Sequence, residues 1–310
     1  MKSKSKAKTN ETGVELLRNA MLFTLSVHKW GNRTVLTSTE KKDEIQTKDG
    51  IQKDELNITK RLLKSEKLVA LHKTLDEAQA WCISRSMISN IRKGVYLVKR
   101  TMIEEFEKKL AAVNEIVQKE RMPEFLAEYE RCKKESKTRL DVLFDEKDYP
   151  SKEALRSLYY MEWNWFGLSV PNELPEEVRK RECAKLVATY KQAQDEARYA
   201  LREGLKKLVA HAVERLEVKD GKEPKVLRDK SLINNFKEFF DTFDARDLTN
   251  DSELAKAMES ARKVVDKFDP DAVRESVDVR NEVAQKFEEV NKQLTELLVD
   301  RPVRKFKFDE

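Results

Sequence analysis

Glycine is scarce in this chain: seven in 310 residues, at 13, 31, 50, 94, 167, 204 and 221, never closer than seventeen apart. A P-loop or a GxGxxG dinucleotide fingerprint needs several glycines within about eight residues, so that the backbone can approach phosphate, and both are excluded. Histidine is scarcer still. His28, His72 and His211 lie in three separate segments, with no HExxH and no cysteine beside any of them; His72 and His211 read as residues flanking apolar helix stripes. The three cysteines, Cys82, Cys132 and Cys183, are odd in number, about fifty residues apart and lack a CxxC. That argues for reduced thiols and a cytoplasmic protein. No apolar run approaches the roughly 20 residues of a membrane span, since residues 15–27 are interrupted by Glu15, Arg18 and Asn19. A serine nucleophile has no GxSxG elbow.

Charge is what the chain has in excess, with 38% charged against 39% hydrophobic residues. An ordinary globular domain carries about 25% charged residues and about 7% glycine, so long solvated helices are the class that remains. The net charge of +5 sits at the ends. Lys2, Lys4, Lys6 and Lys8 supply +4 and residues 301–310 supply +2, leaving the body near −1. The body is therefore not a basic surface. Residues 1–14 read as a disordered basic tail and 301–310 as a second basic tail.

Met21, Phe23, Leu25 and Val27 alternate with Leu22, Thr24, Ser26 and His28, which predicts a half-buried strand ending at Trp30-Gly31. Val95-Tyr96-Leu97-Val98, opened by Gly94, is a second β-rich run able to pair with it. Residues 32–57 read as a long polar surface connection. Leu68, Leu71, Leu75, Ala78 and Cys82 form one helical stripe, and Met102, Phe106, Leu110, Val113 and Val117 form another. Pro123 predicts a kink or new helix start at 122–124, before Phe125, Leu126, Tyr129 and Cys132 resume the stripe.

A matching long helix is predicted over 177–217. Its seam, Cys183, Leu186, Tyr190, Ala193, Ala197, Leu201, Leu205, Leu208, Ala212 and Leu216, covers 33 residues in nine steps, close to the hendecad period. Two long helices with narrow seams can close on each other as an antiparallel coiled-coil hairpin over 99–217, with 144–176 as its tip. This covers both seams within one chain, so a monomer is expected. The tip holds Tyr159, Tyr160, Trp163, Trp165 and Phe166, five of the 24 aromatics within eight residues. They form either a small core closing the hairpin end or anchors for a protein partner.

Past a polar linker near 217–230, Phe236, Phe239, Phe240 and Phe243 cluster at helical spacing. Asn250 with Glu253 resembles a capping box before Leu254, Met258, Ala261, Val265 and Phe268. Asp269-Pro270 opens a last helix with Val283, Phe287, Val290, Leu294 and Leu297. Residues 15–98 with 225–300 are expected to form a helical head domain. The fold class is thus mainly α, a long hairpin on a helical head with at most a small N-terminal β-element. Abundant carboxylates such as Glu104-Glu105-Glu107 alternate with Lys108 and Lys109, the pattern of a solvated helix face.

The segments Leu25 to Arg33, Val95 to Val98, Tyr149-Pro150, Trp163 to Phe166, and Asp269-Pro270 with Arg274 and Arg280 together resemble a domain family of unknown function from phages and integrative mobile elements. The resemblance spans about 20–300. It supplies no catalytic residues to carry over, because that family has none assigned, and the residue patterns themselves point to no cofactor or metal. It implies a place in the bacterial host cytoplasm and a partner, since such members often lie beside a MoxR or CobS-like AAA+ ATPase. The lysine tail and residues 32–57 depart from the pattern. The expectation is a non-enzymatic scaffold or adaptor. The alternative is a nucleic-acid-associated recombination or protection factor using its basic termini as electrostatic arms.

Overall fold

The computed structural model describes residues 19–35, 59–89, 92–216, 231–267 and 270–298. Both basic tails, nearly all of the 32–57 connection, and the linker from 217 lie outside the described residues. The fold is mainly α with a small sheet. The chain divides into two compact units, one within Met1–Thr24, Ile83–Ile103 and Asn164–Glu310, the other within Leu25–Cys82 and Glu104–Trp163.

The alternating N-terminal run is β1 (Ala20–His28). It pairs antiparallel with β5 (Val95–Lys99), Ala20 opposite Lys99, Leu22 opposite Leu97 and Thr24 opposite Val95. Gly94 precedes β5 at φ +80°, a left-handed conformation that costs a glycine little. On the other side of β5 stands the two-residue β4 (Met87–Ile88). The aromatic segment is a strand, β6 (Tyr160–Phe166), at the opposite edge, giving the order β4-β5-β1-β6. The expected hairpin tip at 144–176 is thus replaced by a sheet edge. A separate ribbon joins β2 (Arg33–Val35) to β3 (Thr59–Arg61).

In the second unit, α1 (Glu66–Ser84) buries Leu68, Leu71, Leu75, Ala78 and Cys82, the stripe its spacing predicts. Helix α2 (Ile103–Ile116) buries Phe106, Leu110 and Val113. It runs through a five-residue π turn, Val117–Arg121, into α3 (Met122–Leu140). Proline at 123 has no N–H to donate to the carbonyl four residues back, and the wide turn absorbs that missing bond without breaking the helix. Helix α4 (Lys152–Leu158) follows, its N-cap Ser151 accepting from the Ala154 N–H.

The first unit is organised around α5 (Glu176–Leu216), 41 residues and about 60 Å long. Its stripe from Tyr190 to Leu216 is buried, with Val209 and Val213 taking the inner places beside a half-buried Leu208. What covers it differs from the expectation. The covering helices are α6 (Ser231–Arg246), α7 (Ser252–Asp266) and, most extensively, α9 (Val277–Glu296), whereas residues 104–140 pack within the other unit. A narrow stripe states how wide a partner must be, and the 283–297 stripe fits α5 as well as the 99–138 stripe would. Short α8 (Pro270–Glu275) precedes α9, whose N-cap is Ser276. The cap of α7 is Asp251 rather than Asn250, which adopts a left-handed φ of 50°.

Asp251 also fixes α5. Arg202 bonds both Asp251 carboxylate oxygens, at 2.6 and 3.0 Å, and donates to the Leu297 carbonyl at 2.7 Å. Burial pushes the Asp251 carboxyl up, but the Arg202 bonds and the Leu254 N–H outweigh it, leaving its pKa below the ordinary 3.8. Its contribution is therefore fully present above that ordinary value and lost as pH falls through the lowered folded one. At pH 7, Arg202→Met is expected to lower unfolding free energy by about 3 kcal/mol, because it removes the guanidinium from a buried carboxylate, with a smaller loss as pH falls through the lowered folded pKa; urea melts over a pH series check this.

Gln194 lies inside the α5 stripe at 1% exposure, and among the described residues neither amide atom has a hydrogen-bond partner. Replacing it by leucine removes two stranded polar atoms at nearly constant size. Gln194→Leu is expected to raise stability by about 1–2 kcal/mol, read as a shift in the urea midpoint at unchanged m-value.

Candidate functional site

The residues expected to contact a partner are divided between the two units. In the first, Trp165 packs on Phe23 with ring centroids 4.6 Å apart, and Phe166 lies partly buried against the apolar core. In the second, Tyr159 and Met161 are buried and Trp163 is half-buried, whereas Tyr160 and Glu162 are exposed. The alternation is that of a strand with one covered face.

The covered face is held by side chains of the α2 helical run. Asn114 donates from Nδ2 to the Met161 carbonyl at 2.9 Å and accepts from the Met161 N–H at 2.8 Å. Gln118, one turn on and inside the π turn, donates to the Tyr159 carbonyl at 2.7 Å. Glu107 accepts from the Trp163 indole N–H at 2.6 Å. Asn114 and Gln118 thereby satisfy backbone groups that an edge strand would otherwise leave open. Sequence reasoning placed Glu107 on a solvated face and passed over Asn114 and Gln118. Their spacing of seven and four along one helix face was the available signal.

Beneath β6, the Tyr159 hydroxyl lies 3.0 Å from His72 Nε2. Burial pushes the Tyr159 phenol well above its usual value, outweighing the opposing bond with the Trp30 backbone. Burial, aided by Lys29 and opposed by Asp76, lowers the His72 pKa and keeps it neutral at pH 7. A neutral imidazole facing an un-ionised phenol is a structural hydrogen bond within a packed core. Tyr159 at 0% exposure therefore offers no surface to a partner.

Tyr160 is different. The residue is 37% exposed, and its ring stacks on His28 at a centroid distance of 4.2 Å and an interplanar angle of 8°. Glu162 Oε2 lies 3.7 Å from His28 Nε2, and Ser26 is exposed on β1 two residues before His28. His28, Tyr160 and Glu162 form a small platform with one aromatic face, one imidazole and one acid. His28 was not among the residues expected to contact a partner.

Among the described residues, no three His, Cys, Asp or Glu side chains converge as a metal-binding group, and no helix is long and apolar enough to cross a membrane. The chain matches no protein-family model, no curated protein and no solved structure. The β6 edge offers a direct test of its support. Asn114→Ala leaves the buried Met161 N–H and C=O unpaired and is expected to cost about 2–4 kcal/mol in urea unfolding. Asn114→Asp, which keeps the acceptor, is expected to lose less.

Proposed function

We propose that the protein is a non-enzymatic adaptor that docks a protein partner on the Tyr160 platform of β6. The observation that supports this is an aromatic side chain left exposed on a strand whose other face is buried at Met161 and half-buried at Trp163. Stacking on His28 already restricts the Tyr160 ring, so little side-chain freedom is lost when a partner covers it. Tyrosine combines apolar area with a polar tip, which favours it as an interface anchor. Glu162 beside it would select a partner with a basic or hydrogen-bond-donating rim. The resemblance to the phage and mobile-element family makes an AAA+ ATPase in a bacterial cytoplasm the partner of first choice.

A photo-crosslinking residue placed at 160, with a control at the exposed Val142, tests this in cells. A discrete adduct at 160 that is absent at 142 is expected. Identical adducts at both positions, or none at 160, would remove the platform from consideration.

A further inference from the structure

A groove of about 360 Å³ lies between the first turns of α3 and helix α4, within the second unit. Pro123, Leu126 and Ala127 line it from α3, and Lys152, Glu153 and Arg156 from α4. Leu126 is buried, while Pro123 and Ala127 are open to solvent. Its size is at the low end of ligand sites, enough for one large side chain and too small for a helix to enter.

The charges around it are uneven. Neighbouring cations are engaged: Lys67 and Arg121 both reach Glu124, and Arg131 reaches Glu128 and Glu135. Lys152 and Arg156, one turn apart on α4, form no ion pair among the described residues, and Glu153 is the only acid of the lining. Two unpaired cations above an apolar floor complement a carboxylate-flanked apolar side chain.

We infer that this groove docks an acidic peptide segment of a partner protein, seating one apolar residue on Pro123, Leu126 and Ala127 with flanking carboxylates on Lys152 and Arg156. The residues differ from those of the Tyr160 platform, and the inference does not depend on that reading.

The probe is a fluorescein-labelled acidic peptide with one central leucine, titrated with the full chain and followed by anisotropy. Two counterparts accompany it, one with lysine for each acid and one with serine for the leucine. Saturable binding of the acidic peptide alone is expected, weakening as salt rises because the rim is solvent-exposed. The serine counterpart and the variants Arg156→Glu and Ala127→Trp are each expected to bind about tenfold more weakly, roughly 1.4 kcal/mol. Circular dichroism establishes that the variants fold, and Arg156→Glu alone decides if Ala127→Trp does not. Absence of saturable binding to the unmodified chain overturns the inference. So does unchanged affinity in Arg156→Glu, which would assign the binding to the lysine-rich termini.

Discussion

An edge strand rich in aromatic residues must have its backbone groups satisfied, and in this protein a helix does it with amide side chains. Asn114 reproduces a strand neighbour's pair of hydrogen bonds on Met161, and Gln118 adds a third on Tyr159. The same device recurs at Asn32, whose side chain donates to the Leu63 carbonyl at 2.8 Å and accepts from the Leu63 N–H at 2.7 Å. An asparagine amide presents an N–H donor and a carbonyl acceptor side by side, so it can pair with the C=O and N–H of one strand residue as a neighbouring strand would. The arrangement fixes which face of β6 turns inward. Tyr159 and Met161 are thereby buried, and Tyr160 is left as the exposed ring.

The extent to which this could be read from sequence follows the physics of each signal. Helical stripes were legible because a period near 3.6 is carried by residue spacing alone: the buried sets of α1 and α2 are those the spacing predicts, and α3 buries the predicted Phe125, Leu126, Tyr129 and Cys132 together with Met122, Ser136 and Leu140. Strand β1 was legible through its period of two. Strand β6 was not, because large apolar or aromatic residues occupy both parities: Tyr159, Met161, Trp163 and Trp165 on one, Tyr160 and Phe166 on the other. The partner of α5 was also hidden. Its stripe is as narrow as several others in the chain, and nothing in a stripe's width names the helix that will cover it. The platform residue His28 looked like the end of a strand, and only the pairing order places Tyr160 beside it.

The abundance of charge has a modest energetic role. Among the described residues, most ion pairs join residues three or four apart on one helix, such as Lys73 with Glu77 and Lys207 with Glu203, and such pairs contribute little each. Cohesion in the first unit comes from the α5 stripe and from one partly buried group, Arg202, which couples the start of α7 to the end of α9. In the second unit Lys60 has a comparable place, with its ammonium 2.7 Å from Asp148 and donating to the Leu143 carbonyl.

The three thiols are unequal in a way that reaches beyond stability. Cys82 and Cys132 are buried and so closed to a bulky reagent, and burial also raises the Cys132 pKa. Cys183 is partly open, on the stretch of α5 that precedes its first fully buried residue, Tyr190. A maleimide fluorophore or spin label added to the native protein would therefore be directed to a single address, the N-terminal third of the longest helix, with no engineered cysteine required.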